Sequence, residues 1–291
     1  MTAAERFLPP LLDFMAQAGA RAMAIQSTAQ QTLKSEDVAV AGTNPAFRGS
    51  FTAIVTEADT AISAMFADWI QSLPDAADHY VIDEEVCGTV TAAHGAIEKA
   101  RYVWVIDPID GTAPYAHGLP MWGTMVALFE NGRPVLGAIA LPALGELVYS
   151  DGQQAFRFNA HTGTAAALSP LAPQPLHPSA IVFGPTWMAD FDPEPVLMMD
   201  VHAAAAYAAY TVLGKCRASF FGQPMKIWDV AAAMAIAPHV GLKLLNIRTG
   251  VTLETLDLDA LLDNWKLRDI HVLCHPSQFD ELRKLPRGRP A

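Results

Sequence analysis

One segment, residues 102–112, constrains the fold more than any other part of the sequence. It begins with an apolar run of strand-forming residues that stops at Asp107. Pro108 cannot continue a β-ladder, because it has no N–H group to donate and its φ angle is fixed, and Asp110-Gly111 is a turn sequence. The segment therefore predicts a buried strand that delivers two carboxylates, three residues apart, into a rigid loop.

These two carboxylates predict a metal site. Like charges held this close repel each other unless a cation lies between them, and carboxylates and carbonyl groups are ligands that Mg²⁺ prefers. Thr112 adds a hydroxyl, and the N–H groups around Gly111 and Thr112 are suited to binding an anion. Asp-x-x-Asp by itself is a common solvated turn, but the strand before it and the proline inside it favour the metal site.

The overall charge excludes some classes of partner. The chain carries 30 acidic and 19 basic residues, a net charge of −11, which argues against binding to nucleic acid or to an anionic membrane surface. No stretch has the length and apolarity of a membrane span, and the N-terminus does not resemble an export signal. The three cysteines lie far apart, which indicates free thiols in a reducing compartment. We therefore expect a soluble cytoplasmic protein.

Further acids occupy the ends of other predicted elements. Asp59 lies where a strand passes into a helix, Glu84 and Glu85 follow a short strand, and Asp229 precedes an alanine-rich helix. Each has an ordinary explanation, because aspartate often caps a helix and an acidic run is most often a solvated turn. Taken with the central loop, they form a second set of candidate ligands.

The motifs around these acids resemble those of one family. Asp107-Pro108-Ile109-Asp110-Gly111-Thr112 resembles the signature of the inositol monophosphatase family, which are Mg²⁺-dependent, Li⁺-sensitive phosphatases. Three further segments resemble its other motifs in the same order: Thr56-Glu57-Ala58-Asp59, Asp83-Glu84-Glu85 and Trp228-Asp229-Val230-Ala231-Ala232. The resemblance implies a phosphomonoesterase. Asp83 replaces the family's glycine, which puts the local backbone geometry in question.

The pattern of predicted elements and the resemblance together give the fold class. The first half contains hairpin signals such as Asn131-Gly132 and indicates an α+β region, whereas the second half alternates strands and helices as an α/β region does. A proline-rich stretch between them predicts two subdomains, residues 1–165 and 179–291. The resemblance implies a layered αβαβα sandwich of the sugar-phosphatase type, often assembled as a homodimer.

The resemblance also implies a set of metal ligands. Asp107 would bridge two Mg²⁺ ions, Glu84 and the Ile109 carbonyl would complete the first site, and Asp110 and Asp229 would hold the second. Two or three Mg²⁺ ions are expected, with Mn²⁺ as a substitute and with Li⁺ and Ca²⁺ as inhibitors.

The catalytic and phosphate-binding roles follow from the same resemblance. Thr112, hydrogen-bonded to Asp59, would orient or deprotonate the attacking water, with Glu84 as the third catalytic residue. The amides of Gly111 and Thr112 would bind phosphate oxygens. Glu85 would support this set.

The substrate side departs from the family pattern. His202 stands in place of a Gly-Ser or Gly-Thr element, Arg217 in place of an aspartate, and Gly222 in place of the glutamate that meets the sugar in inositol-specific members. We include His202 and Arg217 among the expected substrate contacts, and Arg48, at a position often held by lysine, as a supporting residue. The partner is expected to be a small phosphorylated molecule.

Several identities of the substrate stay open on the sequence. Inositol phosphate, another polyol or sugar phosphate, and histidinol phosphate are all compatible with the catalytic motifs. A 3′-phosphoadenosine or nucleotide phosphatase is an alternative, and so, from another class, is a non-catalytic member that binds metal or ligand.

Overall fold

Two β-sheets with a layer of helices between them organise the chain. The computed structural model describes residues 1–26, 31–33, 54–73, 75–173, 175–184, 196–222 and 225–285. Its α-helices are α1 (Ala3–Ile25), α2 (Glu57–Gln71), α3 (Val90–Ile97), α4 (Thr112–Ala116), α5 (Ala204–Val212), α6 (Trp228–Ile236) and α7 (Phe279–Leu282). Its strands are β1 (Gln31–Leu33), β2 (Ile54–Thr56), β3 (His79–Asp83), β4 (Tyr102–Asp110), β5 (Gly123–Glu130), β6 (Arg133–Leu141), β7 (Glu146–Ser150), β8 (Ala155–Asn159), β9 (Thr164–Ala167), β10 (Ile181–Phe183), β11 (Leu197–Met199), β12 (Ala218–Phe221), β13 (Lys243–Asn246) and β14 (His271–Cys274).

The larger sheet contains the central strand that the sequence predicts. Its order is β3-β4-β5-β6-β7-β8-β9, and β3 and β4 are parallel while the later neighbours are antiparallel. Every residue of β4 is buried. The β5–β6 hairpin turns at Asn131 and Gly132, both with positive φ, as the sequence of that turn requires.

The smaller sheet has five strands in the order β11-β10-β12-β14-β13. Strand β10 pairs parallel with β11 and β12, and β14 pairs antiparallel with β12 and β13. A two-stranded antiparallel pair, β1 with β2, precedes α2.

The side chains of each sheet alternate between two apolar cores. Trp104 and Ile106, on one face of β4, pack with α1 and α2, while Val103 and Val105, on the other face, pack with α5 and α6. The five-stranded sheet shares the second core, and on its far side it packs against α7. The layers are therefore α, β, α, β, α, which confirms the predicted αβαβα sandwich.

Small residues bring α6 close to the larger sheet. A Cβ added at Gly137 on β6 would lie 2.5 Å from the Ala232 carbonyl oxygen and 2.9 Å from the Ala235 Cβ. Only glycine fits at such an approach. The alanine-rich sequence of α6 and this glycine together place the N-terminus of α6 at the edge where β4 ends.

Helices from the second half of the chain thus cover a sheet built from the first half. The larger sheet ends at Ala167 and the smaller one begins at Ile181, so the proline-rich stretch connects the two. The division into residues 1–165 and 179–291 stays a prediction. No helix in the described part of the chain is both long enough and apolar enough to cross a membrane.

Candidate active site and metal centre

Two parallel strands deliver their acids to one edge of the larger sheet. Asp83 at the end of β3 is in register with Ile106 of β4, and the Glu84 N–H donates to the Ile106 carbonyl at 3.3 Å. Glu84 and Asp107 therefore leave neighbouring strands at the same level. The β4–β5 register shifts between Asp107 and Asp110, so Pro108 interrupts the ladder. The strand nevertheless continues to Asp110, three residues beyond the end that the sequence predicts.

Three of the predicted metal ligands converge at this edge. One carboxylate oxygen each from Asp107, Asp110 and Asp229 lies within 4.8 Å of the other two. Asp107 is only 1% exposed, and its Oδ1 has no hydrogen-bond partner among the described residues. Three close carboxylates, with one oxygen unsatisfied, fit a bound cation.

Asp229 reaches the cluster from inside the first turn of α6. The sequence predicted a position just before the helix, but α6 begins at Trp228, and Ile227 occupies the cap. The Asp229 carboxylate nevertheless accepts the Lys226 N–H at 2.6 Å. This hydrogen bond closes the turn that leads into α6, and it holds the Asp229 carboxylate at the cluster.

Asp110 has a second role that sequence reasoning missed. Its Oδ2 accepts the Ala205 N–H at 2.6 Å, at the first turn of α5, where Ala203 supplies no capping side chain. Asp110 thus caps a helix almost one hundred residues away in the chain, and the helix N-terminus favours its negative charge. The available signal was an alanine-rich helix with no Ser, Thr, Asp or Asn at its start.

Burial and mutual repulsion weaken the acidity of these groups. Burial, then the charges of Glu84 and Asp110, raises the pKa of Asp107 well above its ordinary value. Burial likewise raises the pKa of Asp110 to about 7, and burial followed by the Asp110 charge raises the pKa of Asp229. Glu84 belongs to the same electrostatic cluster, because its charge raises the pKa of each of the other three.

The predicted hydrogen bond between Thr112 and Asp59 is replaced by two local contacts. The Thr112 hydroxyl donates to the Ile109 carbonyl at 3.0 Å. Asp59 Oδ2 accepts both the N–H and the hydroxyl of Thr56, at 2.7 and 2.6 Å, in a capping box at the start of α2. Asp59 Oδ1 is buried and has no hydrogen-bond partner in the part of the chain that the structure describes. Burial raises the pKa of Asp59 to about 7, and the charges of Glu85 and Glu84 contribute.

Gly111 turns the chain between β4 and α4. Its φ is +78°, and a Cβ there would lie 2.9 Å from both the Ala203 Cβ and the Met121 carbonyl oxygen. Both the backbone angle and the space require glycine. The Gly111–Thr112 amides lie in this turn, next to the residue that precedes α5.

The acidic turn after β3 is regular despite the missing glycine. Asp83 does not have a positive φ, and its buried carboxylate accepts the Glu85 N–H at 2.9 Å. Glu85 thus supports the turn through its backbone, and its charge acts on Asp59. The doubt raised by the glycine-to-aspartate change is resolved, because the aspartate stabilises the turn by a side-chain contact.

The two expected substrate contacts, His202 and Arg217, lie in different parts of the fold. His202, at φ +53°, immediately precedes the Ala203 that touches Gly111, and its side chain is 37% exposed. Its Nδ1 lies 3.4 Å from the buried carboxylate of Asp200, which also accepts the His202 N–H and the Tyr207 hydroxyl.

Arg217 lies elsewhere. It precedes β12, next to the last turn of α5, where Thr211 contacts Cys216 and Ser219, whereas Asp110 meets the first turn. The nine residues of α5 span about 13 Å, so the Arg217 backbone lies at the end of α5 away from Asp110. Its contact with the substrate stays a prediction. Arg48 lies outside the described residues.

Known proteins match this chain in sequence and in fold. A model of the inositol monophosphatase family matches residues 10–281. A fructose-1,6-bisphosphatase/inositol-1-monophosphatase of Thermotoga maritima is 30% identical over 193 residues, 66% of this chain and 70% of that protein. A histidinol-phosphatase of Mycobacterium tuberculosis is 26% identical over 203 residues, 66% of this chain and 74% of that protein.

A solved structure has the same fold at low sequence identity. An IMPase/NADP phosphatase, crystallised with Mg²⁺ and phosphate, superposes with a TM-score of 0.75 at 17% identity, covering 100% of this chain and 98% of that one. The fold, the motifs and the family model agree, and the chain is a phosphatase that belongs to the inositol monophosphatase family.

Proposed function

We propose that the protein hydrolyses a small phosphate monoester at the edge where β3 and β4 end, with Mg²⁺ as its cofactor. The observation that carries this proposal is the convergence of Asp107, Asp110 and Asp229 within 4.8 Å. Glu84 and the Ile109 carbonyl complete the proposed ligand set. Buried carboxylates that repel one another, one with an unpartnered oxygen, fit hard divalent cations.

Mg²⁺ bound there would neutralise charge on the phosphate and lower the pKa of a water molecule. The chain's own residues then provide orientation and proton transfer. The amides of Gly111 and Thr112 would hold phosphate oxygens, and the Thr112 hydroxyl, now on the Ile109 carbonyl, lies beside them. Asp59 would accept the proton of the attacking water at Oδ1, because Oδ2 is fixed by Thr56 and a pKa of about 7 suits a general base near neutral pH.

A thiol nucleophile does not fit. Burial raises the pKa of Cys87 to about 12, of Cys216 to about 11 and of Cys274 to about 12. Each stays a thiol at neutral pH, and the thiolate is the reactive form. Hydrolysis by water at a metal centre is therefore the mechanism that we propose.

The leaving group is proposed to be something other than inositol. The glutamate expected in inositol-specific members would stand at Gly222, where a Cβ would lie 2.8 Å from Ile270 Cγ1. Ile270 thus occupies the space that such a side chain needs. His202 is proposed to contact the leaving group instead, which favours esters with a hydroxyl or anionic group for an imidazole to bind.

A panel of esters with and without Mg²⁺ tests the function. Inositol 1-phosphate, histidinol phosphate, a sugar phosphate and 3′-phosphoadenosine 5′-phosphate cover the candidates, and released phosphate is measured. We expect Mg²⁺-dependent release from at least one ester and weak release from inositol 1-phosphate. Absence of Mg²⁺-dependent release from every ester would contradict the proposal.

The same assay tests the remaining predictions about ions. Mn²⁺ is expected to replace Mg²⁺, and Li⁺ and Ca²⁺ are expected to inhibit. The homodimer is tested by light scattering of the purified protein, and the cytoplasmic location by cell fractionation.

A further inference from the structure

Asp83 is a buried acid that the proposed function does not use. Its side chain lies at the end of β3, one residue before Glu84, and the residue is 2% exposed. Burying a carboxylate is costly unless hydrogen bonds compensate for the lost water. A glycine at this position, as the family motif has, would avoid that cost, so the aspartate has to be explained by its contacts.

The carboxylate of Asp83 connects two elements of the site. Its Oδ1 accepts the Ser63 hydroxyl at 2.9 Å and the Glu85 N–H at 2.9 Å. The first bond reaches across to α2, and the second closes the turn that carries Glu84. The Asp83 carbonyl also accepts the Cys87 N–H at 2.9 Å, so both polar groups of this residue hold the same turn.

Ser63 and Asp59 lie on the same side of α2. They are four residues apart, and residues at that spacing are neighbours on one face of a helix. Both are buried. The Ser63–Asp83 hydrogen bond therefore fixes the turn of α2 that carries Asp59 relative to the strand end that carries Glu84. Glu84 is in turn tied to β4 through the Ile106 carbonyl.

We infer that Asp83 and Ser63 are positioning residues that set the distance between Asp59 on α2 and the metal ligand Glu84 on the β3 turn. Neither touches the reacting atoms in this inference. It rests on the proposed Mg²⁺-dependent function, and it adds that Asp83, which stands where the family motif has glycine, forms a hydrogen-bonded clamp with Ser63 and the Glu85 N–H. Loss of the clamp lets α2 and the turn move independently, which weakens metal binding.

Four variants separate positioning from charge and from plain stability. Ser63→Ala removes the donor and Asp83→Gly removes the acceptor, whereas Asp83→Asn removes the charge but keeps an Oδ1 acceptor of the same shape. Ser72→Ala is the matched control, because Ser72 caps the end of the same helix and its exposed hydroxyl donates to the Trp69 carbonyl. Each protein is titrated with Mg²⁺ alone by calorimetry, and its melting temperature and kcat are measured.

We expect Ser63→Ala and Asp83→Gly to weaken Mg²⁺ binding by about 10- to 100-fold, the usual effect of removing a partner that orients a metal ligand. Asp83→Asn and Ser72→Ala should bind Mg²⁺ as the unchanged protein does. If Asp83→Asn loses as much affinity as Asp83→Gly, Asp83 acts by its charge and positioning is wrong.

Other outcomes also decide between the possibilities. Ser63→Ala with a lower melting temperature but unchanged Mg²⁺ affinity would make the hydrogen bond merely structural and overturn the inference. An unchanged protein that binds no Mg²⁺ and releases no phosphate would overturn the proposed function, and this inference with it. If the unchanged protein, Ser63→Ala and Asp83→Gly all bind Mg²⁺ with the same affinity, the inference is overturned and the proposed function is not.

Discussion

The acidic edge and the substrate side of this site are built differently. The acidic edge consists of the ends of β3 and β4 with the start of α6. Its acids belong to short sequence motifs, and they are held by both near and distant donors: Asp229 accepts the nearby Lys226 N–H, and Asp110 accepts the distant Ala205 N–H. The substrate side, around His202 and Gly222, is shaped by packing from distant segments, such as Ile270 against Gly222. The comparison teaches that the identity of the acids is encoded in local motifs, whereas their exact placement and the shape of the leaving-group side depend on tertiary contacts.

Replacing Asp107 by Asn gives the largest expected effect, because it changes the centre of the acidic edge. Turnover should fall by more than about 100-fold. Loss of a residue that only hydrogen-bonds to a metal ligand costs up to about 100-fold, and Asp107 is itself a proposed ligand. The melting temperature of the metal-free protein should rise, because a buried charge that repels Glu84 and Asp110 is removed. Phosphate release and thermal unfolding without metal check both results. If Asp107→Asn retains its turnover, the reaction does not take place at this edge.

Gly111 joins the two regions, and an alanine there should affect both. Gly111→Ala is expected to destabilise by backbone strain of about 1–2 kcal/mol plus about 1–3 kcal/mol for the collision with Ala203 and Met121. Gly118→Ala is the matched control, since its φ is +71° but a Cβ there meets no described residue within 4 Å, so it should cost the strain alone. Urea unfolding measures both. Equal costs for the two variants would mean that the close approach of Ala203 has no energetic consequence.

The sequence predicted the acidic edge well because its signals are local. The Asp-Pro step at the end of the apolar run marks where the regular β4 ladder is interrupted, although β4 itself continues to Asp110. Asn131-Gly132 determines the hairpin after it. Asp107, Asp110 and Asp229 meet as the motifs implied. The predicted start of α6 was less accurate, because Asp229 lies inside the helix and not before it.

The rest of the site could not be derived from local patterns. The cap that Asp110 provides for α5, and the switch of Thr112 from Asp59 to the Ile109 carbonyl, both depend on which segments meet in space. Arg217 was chosen from its charge and its place in the sequence, but the direction of β12 relative to α5 places its backbone away from Asp110.

The pH dependence of stability tests the electrostatics of the acidic edge. Asp59 and Asp110, with pKa values raised to about 7, bind more protons in the folded than in the unfolded chain between about pH 4 and pH 7. The metal-free protein therefore loses stability from these groups as the pH rises through that range. Mg²⁺ would bind the deprotonated form of Asp110, a proposed ligand.

The increase in melting temperature caused by a fixed Mg²⁺ concentration should consequently grow between about pH 5 and pH 8. Three histidines have pKa values lowered by burial: His79, His239 and His271. Their contribution to stability increases as the pH rises, but it is the same with and without Mg²⁺. It therefore cancels in the difference between the two melting temperatures. A Mg²⁺ effect that is independent of pH would show that these carboxylates are already ionised without metal.

His202→Ala gives the smallest expected effect and tests the substrate side directly. Loss of one hydrogen bond to the leaving group, worth about 0.5–1.5 kcal/mol, should raise KM by about 2- to 10-fold and leave kcat nearly unchanged, because a contact to the leaving group outside the reacting bond is made equally before and in the transition state. Asp200→Asn should give part of the same change, since Asp200 faces the His202 ring. His177→Ala, which removes an exposed ring bonded to Ser179, is the control and should leave KM unaltered. If His202→Ala lowers kcat as strongly as KM rises, the substrate side also takes part in the reaction step. If it leaves KM unaltered for every ester, His202 does not contact the leaving group.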